Sequence, residues 1–111
     1  MASSKEYVDY ILERLSGLED VFWRPMMGEY LVYYRGKIAA YICDERFLVK
    51  PTDSAKVLLP SAPSEPPYEG AKEMLLVEDV DDKELLQRLF ERMYDELPAP
   101  RRKGKKGGGR Q

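Results

Sequence analysis

The sequence predicts a two-layer α+β domain: an antiparallel sheet of about five strands with helices packed on it, in the order α-β-β-β-β-α-β-α. Three observations lead there. Residues 29–50 read as three short apolar strands joined by the tight turns Arg35-Gly36 and Asp44-Glu45-Arg46, and strands joined so closely must run antiparallel. Amphipathic helical patterns open and close the body, and helices set against one face of such a sheet make two layers. The 111 residues, 43% hydrophobic and 34% charged, suit one globular domain with a modest core.

Each element has a local reason. Ser3 and Glu6 have capping-box spacing, and Val8, Ile11, Leu12 and Leu15 recur at three- and four-residue steps, so a helix runs from Ser3 to Gly17. Gly17 is its expected stop, since glycine tolerates positive φ. Val21-Phe22-Trp23 is short, aromatic and β-branched, a first strand whose end Pro25 disrupts. Gly28 allows a turn or bulge before the strand Glu29–Tyr34. Arg35 is a poor residue for a type I′ turn, so the next hairpin is expected to carry a bulge before Lys37–Cys43. Phe47–Lys50 follows and Pro51 ends it. Thr52 or Asp53 caps a short helix through Ala55, Lys56 and Val57. Residues 60–70 hold four prolines and a glycine, a surface loop unsuited to a central strand. Glu73–Val77 is the last strand. Asp81 and Glu84 repeat the capping-box spacing ahead of a helix whose stripe is Leu85, Leu86, Leu89, Phe90, Met93 and Leu97.

Simple alternation puts Tyr30, Val32 and Tyr34 on one face and Leu31 and Tyr33 on the other. It likewise separates Ile38, Ala40 and Ile42 from Ala39, Tyr41 and Cys43. Both faces are then largely apolar. Either a helix covers the second face or a second copy of the chain does, which makes a homodimer the alternative.

Charge divides the chain. Residues 1–97 carry 12 basic and 20 acidic side chains, a net −8, whereas residues 98–111 carry six basic side chains and no acid. The body is read as domain 1–97 and the remainder as a disordered basic tail. No apolar run approaches the roughly 20 residues a membrane helix needs, and no secretory leader is visible. Cys43 is the single cysteine, which excludes an internal disulfide; the expected location is cytoplasmic.

The residues now in hand carry a resemblance. Arg24, Met26, Met27, Gly28 and Tyr30 are followed by Tyr34, Gly36, Lys37, Ile38, Ala39 and Ala40, then by Asp44, Phe47, Leu48, Val49 and Lys50. In this order they resemble the N-terminal domain of the TfoX/Sxy family over residues 5–97. The resemblance implies an antiparallel α+β domain in bacterial proteins that regulate competence and transcription, with no catalytic residues. Two departures stand out. Glu29 occupies a position where many members have a second glycine, and the longer regulators add a C-terminal helical domain where this sequence has a basic tail.

Little in the chain points to chemistry. With no histidine, Ser-His-Asp, Cys-His and His-based zinc sites are excluded. No glycine-rich loop opens a helix to hold phosphate, and no cofactor is expected. Cys43 reads as a small packed hydrophobe. Glu78, Asp79, Asp81, Asp82 and Glu84 have no EF-hand spacing and read as helix capping rather than a Mg²⁺ or Ca²⁺ site. Met26 and Met27 read as core filler. Arg24 is either a recognition arginine or the partner of an acid such as Glu29, the structural role being favoured. The eight tyrosines read as cross-strand packing, because the body's −8 charge opposes phosphate contact.

The expected function is therefore a non-enzymatic regulatory or protein-interaction domain. Its candidate contacts are Trp23, Arg24, Tyr30, Tyr33 and Tyr41. The alternative is an accessory nucleic-acid binder that grips phosphates through Arg101, Arg102, Lys103, Lys105 and Lys106.

Overall fold

The computed structural model describes residues 5–26 and 29–98. The order is α1 (Lys5–Arg14), β1 (Val21–Met26), β2 (Glu29–Tyr34), β3 (Lys37–Cys43), β4 (Arg46–Val49), α2 (Asp53–Leu58), β5 (Ser64–Glu65), β6 (Met74–Leu76) and α3 (Lys83–Met93), then a 3-10 turn, Tyr94–Glu96. One six-stranded sheet runs β1-β2-β3-β4-β6-β5, and every adjacent pair is antiparallel. The predicted α+β class and helix–strand order hold, with one strand added. That strand, β5, lies inside the proline-rich segment. It is two residues long and sits at the outer edge, where chain without free N–H groups is tolerated.

Several local expectations are corrected. Pro25 does not end β1, which continues to Met26. Because β1 is the other edge of the sheet, a missing N–H need not interrupt the ladder to β2. Gly17 is not among the positive-φ residues. A Cβ there would lie 2.0 Å from the amide end of the Gln87 side chain of α3, a flexible group that would have to swing aside. The α3 cap falls one residue late: Asp82, not Asp81, accepts from the Leu85 amide, at 3.1 Å. Thr52 caps α2 by accepting from the Ala55 amide at 3.1 Å. Ser3, Met27, Gly28 and the basic tail fall outside the described residues.

Both hairpins turn on two residues with positive φ, Arg35 (54°) with Gly36 (88°) and Asp44 (55°) with Glu45 (57°), the φ signature of type I′ turns. The bulge expected in the Arg35-Gly36 loop is not there; the register shift lies inside the strands. Val32 pairs with Ala40 while Tyr33 pairs with Ile38, leaving Ala39 as the extra residue. Alternation across β3 therefore breaks. Ala39 and Ala40 both enter the helix-side core, and Ile38 moves to the opposite face beside Tyr33. The alternating assignment for residues 38–40 is thus corrected by one inserted residue.

All three helices lie on one face. Val8 and Ile11 of α1, Ala55 of α2, and Leu86, Leu89, Phe90 and Met93 of α3 form one core with Val32, Tyr34, Ala40, Ile42, Phe47, Val49 and Leu75 of the sheet. Phe47 stacks on Phe90 with centroids 6.2 Å apart, and Tyr34 meets Phe90 edge-on at 5.8 Å. The β2–β3 turn is pinned to the end of α3: Lys37 Nζ lies 4.1 Å from the Tyr94 ring centre and donates to the Tyr94 carbonyl at 3.0 Å.

The opposite face is closed differently. Leu31, Cys43, Leu48 and Met74 are buried yet stand apart from the helix-side core. Across them lies the proline-rich segment. Arg46 reaches Glu65 at 2.8 Å and donates to the carbonyls of Pro66 (3.2 Å) and Pro67 (3.0 Å). The Cys43 thiol donates to the Pro67 carbonyl at 2.8 Å. A proline strap, rather than a fourth helix, sits on this face.

Candidate functional site

Strand register divides the five predicted contact residues between two faces. Trp23 pairs with Val32, and its ring meets Tyr30 edge-on at 5.5 Å, so both belong to the helix side at the β1 edge. Arg24 pairs with Leu31, and Leu31 with Tyr41, so Arg24, Tyr33 and Tyr41 belong to the strap side. The sequence reading named the residues but did not separate the surfaces.

A sixth residue was missed. Phe22, on the strap side opposite Tyr33, is 62% exposed, and Trp23 is 42% exposed. Their rings lie on opposite faces of β1, four of whose six residues are exposed. Phe22 touches Tyr33 at 6.0 Å between centroids, which leaves most of its surface uncovered. The available signal was an aromatic pair two residues before a proline, since the proline marks an edge strand. Arg24 is exposed as well and makes no ion pair among the described residues, so the favoured pairing with Glu29 is not formed.

Glu29 is the second unforeseen feature. It is 8% exposed, and its Oε1 has no hydrogen-bond partner among the described residues. Burial raises its carboxyl above the usual range. Its parity with Leu31 puts it on the strap side, where its charge acts on Tyr41 and Cys43. Burial, and then Glu29, push the Cys43 thiol up, which leaves it protonated and inert as a nucleophile. Nearby, Lys50 lies 5.8 Å from the Tyr41 ring centre; burial and then Lys72 lower its pKa.

Elsewhere the polar groups serve the fold. Asp82 is spent on the α3 cap, and among the described residues no group of three or more acids or cysteines could hold a metal ion. Ser54 donates its amide and hydroxyl to Glu96, tying α2 to the end of α3. A shallow cavity of about 280 Å³ lies between Leu59–Ala62 and Leu85, with Glu78 and Asp79 at its wall. No described helix is long and apolar enough to cross a membrane.

Over 102 residues the chain is 32% identical to the "Uncharacterized 12.7 kDa protein in trpE 5'region" of Spirochaeta aurantia, covering 91% of this chain and 89% of that one. The chain belongs to that protein's family. No family model and no solved structure matches it.

Proposed function

We propose that the chain is a non-enzymatic regulatory interaction domain, of the kind its TfoX/Sxy resemblance implies, and that its first partner is a second copy of itself. The observation that carries this is the β1 edge: six residues, an outer rim with no strand paired to it among the described residues, and two large aromatic side chains left in solvent. An exposed apolar edge strand is a template for pairing with another chain.

One register fits it best. Antiparallel pairing of two β1 strands about a twofold axis perpendicular to the sheet keeps each face on its own side. Centred on Trp23, it sets Trp23 against Trp23 on the helix side. On the strap side it sets Phe22 of each copy against Arg24 of the other, so that an exposed ring meets an unpaired guanidinium. Centring on Arg24 would oppose two like charges. Pro25 then falls at the end of the ladder, opposite Val21, where its missing N–H costs least.

Sedimentation velocity over a range of concentrations tests this. The native chain should move from monomer to dimer, and a Phe22→Ser, Trp23→Ser variant should stay monomeric while keeping the native circular dichroism spectrum. A native chain that is monomeric at every concentration would reject the self-pairing.

The second reading, phosphate contact by Arg101–Lys106, is favoured by the six basic residues beyond Leu97. It predicts salt-sensitive binding of duplex DNA that disappears when those residues are changed to glutamine.

A further inference from the structure

The proline strap sits across Cys43 and Arg46, and the rest of its face is left with aromatic rings at the surface. Tyr68, just past the strap's buried Pro67, is 45% exposed, and Tyr33 and Tyr41 are half-buried. Strand register brings the two sheet tyrosines together. Tyr33 stands opposite Ile38 and Leu31 opposite Tyr41, so Tyr33 and Tyr41 are diagonal neighbours on adjacent strands, within reach of each other's rings. Tyr68 comes close enough to act on the Tyr41 hydroxyl.

Two lysines join these rings. Lys50 Nζ lies 5.8 Å from the Tyr41 ring centre, and Lys72 is near enough to act on the Lys50 charge. Neither makes an ion pair among the described residues. An anion set between them relieves both their repulsion and the partial burial of Lys50. The body's net charge of −8 does not oppose this locally. Glu6, Asp9 and Glu13 belong to α1 and Glu84 and Glu91 to α3, across the sheet on the helix side. On the strap side Glu65 is paired with Arg46, and Glu29 is buried.

We propose that this uncovered part of the strap-side face binds single-stranded nucleic acid, with bases stacked on Tyr33, Tyr41 and Tyr68 and phosphates held by Lys50 and Lys72. Rings on the open face of an antiparallel sheet, with cations beside them, suit unpaired bases because every base has a planar face to stack. A duplex keeps those faces inside its own stack. An acidic peptide is less well suited, since its carboxylates gain nothing from the electron-rich faces of tyrosine. The five residues lie off the β1 edge, so the inference goes beyond the self-pairing and stands whether or not β1 pairs.

The test titrates a labelled oligothymidylate, and a duplex of the same length, with the full chain at low salt. The single strand should bind more tightly, and the ring resonances of Tyr33 and Tyr41 should shift on binding. Tyr41→Leu should weaken binding roughly 5- to 150-fold, whereas Tyr41→Phe, which keeps the ring, should bind as the native chain does. Lys50→Gln should lower the slope of log affinity against log salt by about 0.7. Each variant is compared only if it keeps the native circular dichroism spectrum; the ring shifts need no variant. No binding, equal affinity for the duplex, or unshifted ring resonances would overturn the proposal. Binding abolished by glutamines at Arg101, Arg102, Lys103, Lys105 and Lys106 but untouched by Tyr41→Leu would assign the contact to the basic segment and overturn it equally. Polyglutamate that shifts the same ring resonances and displaces the oligonucleotide at equal charge would assign the surface to an acidic protein and also overturn it.

Discussion

The helix-side face of the sheet buries Phe47, Val49, Ala40 and Ile42 beneath three helices. The strap-side face buries Leu31, Leu48 and Cys43 beneath a proline-rich segment held by Arg46. Two buried side-chain atoms lack a partner among the described residues, Glu29 Oε1 and Arg46 Nε, and both belong to the strap side. The same side carries the most exposed aromatic residue of the sheet, Phe22. The two lie at opposite ends of the β1–β2 pair, Glu29 opposite Met26 and Phe22 opposite Tyr33. The larger packed core therefore lies on the helix side, and the unpartnered polar atoms and Phe22 lie on the strap side.

The largest effect should come from the helix side. Phe90→Ala removes a fully buried ring that stacks on Phe47 and meets Tyr34, and should cost about 3–5 kcal/mol in urea unfolding. Arg46→Ala releases the strap and should cost about 1–3 kcal/mol, since bonds from a charged donor are lost. A loss as large as that of Phe90→Ala would erase the contrast between the faces.

Glu29→Gln sharpens the contrast by its sign. Burial raises the folded carboxyl above its unfolded value, so ionising it opposes folding. Its favourable contribution is complete below the unfolded pKa and is lost as pH rises through the folded one. The substitution should therefore stabilise at pH 7, on the order of 1 kcal/mol, with a gain that vanishes in acid. Glu96→Ala should show the smallest effect and the opposite sign. Hydrogen bonds from Ser54 hold that carboxyl below the usual range, so its contribution is present above the unfolded pKa and is lost as pH falls through the folded one. Melting curves at pH 7 and pH 3 should differ from native only at the higher pH.

Local signals in the sequence were enough for the strands Glu29–Tyr34 and Lys37–Cys43, because apolar runs bounded by turn residues fix both ends. The stripe through Leu86, Leu89, Phe90 and Met93 likewise announced the face that α3 buries. What was not legible depends on distant chain. The bulge at Ala39 reverses the faces of β3 without changing its composition. The strap depends on Arg46 and Cys43 meeting carbonyls about twenty residues onward, which no periodicity encodes. Glu29 looked like a departure within a turn, and its burial emerges only from the sheet and strap around it. The edge position of β1, which exposes Phe22 and Trp23, follows from strand order rather than from residue type.

The proposed self-pairing sets β1 against β1 of a second copy in a register centred on Trp23. Single cysteines test it in a Cys43→Ser background. Trp23→Cys places two thiols opposite each other across the twofold axis, within disulfide reach, whereas Val21→Cys places each opposite Pro25. Mild oxidation should convert the Trp23→Cys chain to a covalent dimer and leave the Val21→Cys chain monomeric. Equal cross-linking of both, or of neither, would contradict the register and with it the assignment of the β1 edge as the contact surface.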